Sequence, residues 1–297
     1  MSLKSTFAVV ALVLPCIVRG QEIPSYSQIE ANRNALLEWQ RTEAPEMEFF
    51  AQSTSDNGEV ETAVAVVIEG IDIEEASVAL RGPGAWCEVM FLHLNIKSCV
   101  NGENENGQWM RLYMGRKFYQ DPRNVEQIEM RFSSGTTDDG VRWVTLTADE
   151  GPFNTSDYRL VLSAIEAENG TYAQIGSSQK AGRAASWAIK LYYATLARGK
   201  IGFSVVGADR EGDPEYSTGD EAMLERNVVR YLIAIRAYMQ TYTMSGIEGM
   251  RERAAMWFDA TEEYAAQLHE VDREDYLRNK DREYLHQMEL QSEISGQ

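Results

Sequence analysis

The apolar positions change period twice along the chain. Ile29, Leu36 and Leu37 recur at helical spacing behind Ser27 and Glu30, a capping-box pair, and predict an amphipathic helix over 27–41 that Pro45 ends. A valine-rich run predicts a strand over 60–68, followed by a short helix over 73–80 and a turn at Gly82-Pro83-Gly84. Extended chain is expected again over 87–96, then a polar turn over 101–107. Alternation takes over next. Met110, Leu112 and Met114 share one face of a strand over 109–114, with Trp109, Arg111 and Tyr113 on the other; Ile128, Met130 and Phe132 group likewise over 127–132. Residues 133–140 have hairpin composition and 141–148 form the returning strand. Asn169-Gly170 joins strands over 158–167 and 171–177. The stretch 184–194 reads as strand or helix, and 200–206 as the last strand.

From Thr218 and Glu221, a second capping-box pair, the period is helical again. Leu224, Val228, Tyr231, Ile235, Tyr238 and Tyr242 form one stripe of a helix over 220–242, about 34 Å long, widened by Leu232 and Met239. Glu225, Arg226 and Arg236 lie elsewhere on the wheel. The tail over 245–297 is helical and highly charged. Met250, Trp257, Tyr264 and Val271, with Ala254, Thr261 and Leu268 between them, make a short heptad-like seam. Packing onto the main domain is the expected use of that seam; a dimer or a protein partner through the C-terminal helices is the alternative. The final helix, 273–291, is expected to be mostly solvated. The pattern is that of an α+β protein.

Composition changes the picture at the N-terminus. Lys4, the apolar run over 7–18 and small Gly20 before Gln21 resemble a secretory signal, too short to span a bilayer as a helix. Cleavage after Gly20 is expected, an uncleaved anchor being the alternative. Pro15 before Cys16 argues against lipid attachment. The chain carries 28 Lys+Arg against 46 Asp+Glu. Loss of Lys4 and Arg19 with residues 1–20 leaves 26 against 46, a balance of −20. Such a surface repels nucleic acid and anionic headgroups. No other stretch is apolar enough to cross a membrane, so the mature chain is expected to be soluble, in the periplasm or secreted. The cysteines left, Cys87 and Cys99, are separated by eleven residues, and an exported chain can keep them paired; two separately buried thiols are the alternative. A bridge over such a loop stabilises by about 3 kcal/mol.

Candidate chemistry is sparse. HExxH, a Cys/His zinc pattern, CxxC, GxSxG, a phosphate loop and an EF-hand loop are all absent, so no metal, cofactor or catalytic residue is assigned. His93, near Glu88 in sequence, reads as structural; His269 and His286 lie in the tail. Glu61, Asp149 and Glu150 are acids among many, and nothing selects a glycosidase pair. Asn154-Thr155-Ser156 and Asn169-Gly170-Thr171 match glycosylation acceptors. Trp86, Trp109, Trp143, Trp187, Tyr158 and several methionines populate the strand region, a composition that suits either an ordinary core or an adaptable apolar pocket.

The order of these elements resembles the START-like, helix-grip (SRPBCC) superfamily, which includes polyketide cyclases and lipid-transfer domains. The likeness runs over 59–242. It rests on Val64-Ala65-Val66-Val67-Ile68, Glu74-Glu75-Ala76-Ser77-Val78-Ala79-Leu80, Gly84-Ala85-Trp86-Cys87-Glu88 and Glu225-Arg226-Asn227. The resemblance implies a curved antiparallel sheet wrapped around a long C-terminal helix, with a cavity between them for a lipid or other hydrophobic small molecule. Domains then fall at 1–20 (signal), 21–58 (leader and helix), 59–244 (ligand-binding domain) and 245–297 (helical extension beyond the usual closing helix). Trp86, His93, Arg111, Tyr113, Trp143, Tyr172, Tyr231 and Tyr238 are the candidate ligand contacts, with His93, Arg111 and Tyr172 as orienting polar groups. A cyclase- or hydrolase-type enzyme on the same fold is the competing function. A structural or assembly protein acting through its acidic surface and helical tail is the third.

Overall fold

The computed structural model describes residues 22–42, 47–152, 155–181, 200–211 and 213–296. The signal segment, Pro45, Asn154 and the ambiguous stretch 184–194, including Trp187, lie outside the described residues.

The elements in chain order are α1 (Tyr26–Thr42), β1 (Phe50–Asp56), β2 (Glu59–Glu69), α2 (Ile73–Ala79), α3 (Pro83–Phe91), β3 (Ile96–Asn104), β4 (Gly107–Met114), β5 (Glu126–Thr136), β6 (Arg142–Gly151), β7 (Thr155–Ala167), β8 (Gly170–Ala181), β9 (Val205–Ala208), β10 (Pro214–Tyr216), α4 (Gly219–Thr241), α5 (Gly246–Glu262), α6 (Ala265–Leu268) and α7 (Arg273–Ser295). Eight strands form one sheet in the order β1-β2-β8-β7-β6-β5-β4-β3, every pair antiparallel. Strand β2 therefore pairs with β8, the last strand of the sheet, across the two intervening helices and a five-strand meander. This is the curved antiparallel sheet around a long C-terminal helix that the resemblance implies.

Alternation sorts the side chains as expected. Val64, Val66, Met110, Leu112, Ile128, Met130, Phe132, Val144, Leu146, Leu160, Leu162, Ala173 and Ile175 face inward and join α3, α4 and α5 in the main core. Helix α1 covers the outer face, where Ile29 and Leu36 pack on Ala65, Ile165 and Tyr172, and Asn32 Nδ2 donates to Gln174 Oε1 at 2.8 Å. Its reciprocal start contact is between Ser25 and Gln28 rather than Ser27 and Glu30: the Ser25 amide donates to Gln28 Oε1 at 2.9 Å.

Four expectations are corrected. Residues 83–91 are helix, not turn and strand. Pro83 occupies the first helical turn, where its missing N–H costs nothing, and the helix is buried nearly all round, so no alternation marks it. Residues 200–206 do not add a strand to the large sheet. The Phe203 and Ser204 amides donate instead to Glu225 Oε2 at 2.7 and 3.0 Å, and only β9 and β10 pair, in a separate ribbon. Thr218 precedes α4 but makes no side-chain cap; acidic Asp220 and Glu221 occupy the first turn, where the helix dipole favours them. Helix α7 is not mostly solvated: Tyr276, Lys280, Glu283, Tyr284, Gln287 and Leu290 are buried against the domain.

The charged side of α4 is also interior. Glu225, Arg226 and Arg230 are buried because residues 201–204 and the α5–α7 extension cover the face away from the sheet. Glu225, fully enclosed, accepts from Phe203 N, Ser204 N, Ser204 Oγ and Ser217 Oγ. Gly202 lies so close to α4 that an added Cβ would fall 2.3 Å from Glu225 Oε2 and 2.9 Å from Ala222 Cα. A disulfide joins Cys87 of α3 to Cys99 of β3 with Cα atoms 5.1 Å apart.

Candidate functional site

Between the inner face of the sheet, α2 and the second half of α4 lies a cavity of about 260 Å³. Its walls are Ile68, Ile71, Leu80, Val144, Leu162, Ala164, Ala173, Ile235 and Met239. The strand periodicity makes this lining: small Ala164 and Ala173 sit at inward positions of β7 and β8, where larger neighbours would fill the space. Ile235 and Met239, one turn apart on α4, close the opposite side. Ser77, Arg81, Ser134, Thr136, Arg142 and Thr171 supply the polar lining.

Three of those six polar residues are already engaged. Thr171 Oγ1 donates to Ile71 O at 2.7 Å, and Ser134 Oγ to Arg81 O at 2.8 Å. Arg142 donates to Gly140 O and is ion-paired with Glu74. The exposed guanidinium of Arg81 has no protein partner among the described residues. The described wall contains no Asp, Glu, His or Cys.

The eight candidate contacts do not assemble around this space. Trp143 alone of them borders it, with its indole across Gly135, where an added Cβ would come within 2.8 Å of the ring. Trp86 is wholly buried and donates from Nε1 to Leu80 O at 3.1 Å, so it fixes the end of α2. Tyr172 faces outward beneath α1; its hydroxyl donates to Gln174 Oε1 at 3.3 Å, and burial pushes its ionisation above the ordinary range. Arg111 and Tyr113 are also on the outer face. Arg111 pairs with Glu129 at 2.7 Å and lies over Trp109, and the Glu129 hydrogen bond holds its pKa up. Tyr113 packs with Val100 and Leu290 of α7. Tyr238 stacks under Arg253. The phases of these strands put odd-numbered 111, 113 and even-numbered 172 on the outer face; alternation reveals two faces but not which one meets the helix.

His93 and Tyr231 do meet, with ring centroids 5.6 Å apart, but in a buried polar knot outside the cavity. His93 Nε2 is 3.2 Å from Asn227 Oδ1, and its neighbour in sequence, Glu88, pairs with Arg253 instead. Burial, then the Arg230 charge, hold His93 well below its ordinary pKa, and burial lifts Tyr231 to about 12. Arg230 is lowered to about 10 by burial; Glu270, 3.4 Å away, offsets part of that. Burial alone would raise Glu270, yet Lys117, Arg230 and Lys200 bring it below the usual carboxylate value. These groups tie the extension to α4.

Among the described residues, the one acidic group with metal-like spacing, Asp209, Glu211 and Asp213, is exposed, and Asp209 Oδ1 already accepts the amides of Glu211 and Asp213. Among the described residues no helix is long and apolar enough to cross a membrane.

The fold is an α+β one in which an eight-stranded antiparallel sheet packs around a long helix, with a partly open apolar cavity between them. No protein-family model and no curated protein sequence matches the chain. Among solved structures it is similar to Ara h 8.0201, at 10% identity, covering 64% of this chain and 99% of that one, TM-score 0.33. It is similar to norcoclaurine synthase from Thalictrum flavum at 8% identity, covering 50% and 82%, TM-score 0.31. A hypothetical protein from Helicobacter pylori matches at 10% identity, 67% and 92% coverage, TM-score 0.35. The strand order and the buried helix, not these distant likenesses, carry the fold assignment.

Proposed function

We propose that this chain is an exported binding or carrier protein for a small hydrophobic molecule held between the sheet, α2 and α4. The observation that carries the reading is the apolar cavity of about 260 Å³. Removing apolar ligand surface from water supplies about 25 cal/mol per Å². A dry cavity of about 150 Å³ accommodates benzene; by simple scaling this one suits a molecule of roughly ten heavy atoms. That size fits a single short chain or a one- to two-ring compound better than a two-chain lipid. The Cys87–Cys99 disulfide favours an oxidising compartment, in keeping with a periplasmic or secreted location. The lack of Asp, Glu, His or Cys among the described wall residues favours carriage over cyclase or hydrolase chemistry.

Native mass spectrometry of the protein purified from its own compartment, with solvent extraction, tests this. A stoichiometric apolar adduct lost in a cavity-filling Ala164→Phe variant that still folds is the expected result. A protein that arrives empty and takes up nothing from a panel of small apolar compounds overturns it. A second reading, assembly through the tail, draws on Leu285 and Met288, both half-exposed on α7. Sedimentation of the full chain, with and without Leu285→Ser and Met288→Ser, tests it: a dimer or larger assembly dispersed by the substitutions supports it, and a monomer at high concentration removes self-assembly.

A further inference from the structure

Among the described residues, the cavity has an apolar body and one uncommitted cation at its rim. Arg81 sits in the link between α2 and α3, and two side chains hold that link from different sides. Trp86 Nε1 donates to Leu80 O, and Ser134 Oγ of β5 donates to the next carbonyl, Arg81 O. The backbone that presents Arg81 is therefore fixed, although the guanidinium itself is exposed and has no protein partner among the described residues. The other arginine of the wall is spoken for by Glu74 and Gly140 O. In a chain with net charge −18, most surface arginines are paired with carboxylates; one left open beside an apolar chamber is a site for an anion that the ligand brings.

We infer that the ligand is a small amphipathic monocarboxylic acid, its apolar body in the cavity and its carboxylate against Arg81. This rests on the reading of the cavity as a ligand site and adds the class of ligand. A single guanidinium presents two parallel N–H donors that match one carboxylate; a phosphate monoester carries more charge than one arginine offsets. Charge-assisted hydrogen bonds at a partly exposed site are sensitive to salt, so the preference for the acid weakens as ionic strength rises.

The test uses the full chain and three probes of one length: octanoate, octan-1-ol and octylammonium, titrated by calorimetry at low salt. Octanoate is expected to bind about 10-fold or more tightly than octan-1-ol, and octylammonium more weakly than either. Arg81→Gln is expected to abolish the octanoate preference while leaving octan-1-ol affinity and thermal stability unchanged, since Arg81 has no partner among the described residues to lose. Arg81→Lys is expected to restore part of the preference without the bidentate geometry. Equal binding of acid and alcohol, or an octanoate preference that survives Arg81→Gln, overturns the anionic ligand but leaves the cavity reading intact. Failure of all three probes, with no adduct recovered from the native protein, removes the cavity reading and this inference with it.

Discussion

Replacing Glu283 with glutamine is expected to destabilise the protein by about 3–5 kcal/mol at pH 7. Glu283 is fully buried and, among the described residues, is the single carboxylate paired with two buried lysines. Lys97 Nζ lies 2.9 Å from Oε1, and Lys280 Nζ lies 3.0 Å from Oε2. Three further bonds from the two ammonium groups go to main-chain carbonyls, one from Lys97 to Leu94 O and two from Lys280 to His93 O and Ile96 O. Glutamine keeps the shape and removes the only negative charge, so both lysines must either stay charged without a counterion or give up a proton. A lysine held neutral at pH 7 costs at most about 4.6 kcal/mol, roughly 3.4 units at about 1.36 kcal/mol each. Burial has already brought Lys280 down to about 8, so it carries much of that cost in the wild type, and most of the new penalty falls on Lys97, which burial also lowers. At pH 9.5 neutralising a lysine costs only about 1 kcal/mol, and the deficit of the variant shrinks accordingly. Urea denaturation with the disulfide intact, at pH 7 and pH 9.5, measures both quantities. A deficit under about 1 kcal/mol at pH 7, or one of equal size at both pH values, refutes the reasoning, because either result means that the lysines are not relying on Glu283.

Three other outcomes follow from the same structure. His93 stays neutral in the fold because burial and the facing charges of Arg230, Lys280 and Lys97 lower its pKa, whereas the unfolded chain protonates near 6.5; stability is complete above that value and falls as pH drops below it, by up to about 1.4 kcal/mol per unit. A His93→Gln variant should show a flatter stability profile between pH 6.5 and 5 in the same denaturation assay. Reduction of Cys87–Cys99, or Cys87→Ala with Cys99→Ala, should cost about 3 kcal/mol by the loop-closure relation, seen as a lower denaturation midpoint. Gly202→Val should cost at least 2 kcal/mol, since side-chain atoms there meet Ser217, Glu225 and Ala222 and displace donors from a buried carboxylate; calorimetric melting measures it.

What could be read from the sequence depended on whether a segment has one buried side or two. Strands β4 to β7 each have an inner apolar face and a more polar outer one, and the pairs at 109–114 and 127–132 alternate as Met110, Leu112, Ile128 and Met130 require. Helix α3 and helix α4 are buried nearly all round, so period conveyed little about the first and could not show that the charged residues off the stripe of the second are interior too. Strand β1 was overlooked although Asn57-Gly58 spells a two-residue hairpin: both have positive φ, 50° and 83°, and Asp56 pairs with Glu59 across them. The cavity was less legible than the fold. Its lining is ordinary Ile, Leu and Ala, distinguished only by being smaller than the space demands, and Arg81 is one arginine among many until Trp86 and Ser134 are seen holding its backbone. Large aromatics drew attention because they suit pockets, but in this chain Trp86 and Tyr172 fill space instead of leaving it.

The polar face of α7 shows how a solvated-looking pattern can be interior. Strand β3 ends the sheet, and its outward backbone groups would be open to pairing with another chain. Helix α7 runs along that edge and answers it with side chains. Lys280 Nζ donates to Ile96 O, Gln287 Oε1 accepts from Cys99 N at 2.8 Å, and Gln291 both accepts from Asn101 N at 2.9 Å and donates to Asn101 O at 3.0 Å. The spacing is set by the two geometries. From Lys280 to Gln291 a helix advances about 16 Å at 1.5 Å per residue, and from Ile96 to Asn101 a strand advances about 16 Å at 3.3 Å per residue. One helix face thus stays in step with the strand edge from Ile96 to Asn101, and the polar residues that suggest solvent are there because an edge offers donors and acceptors rather than apolar surface. Gln287→Leu with Gln291→Leu should leave two amides unmet, cost about 2–5 kcal/mol, and speed hydrogen exchange at Cys99 and Asn101 while the β7–β8 pair stays protected. Unchanged exchange at those two amides would mean that the edge is closed by something other than α7.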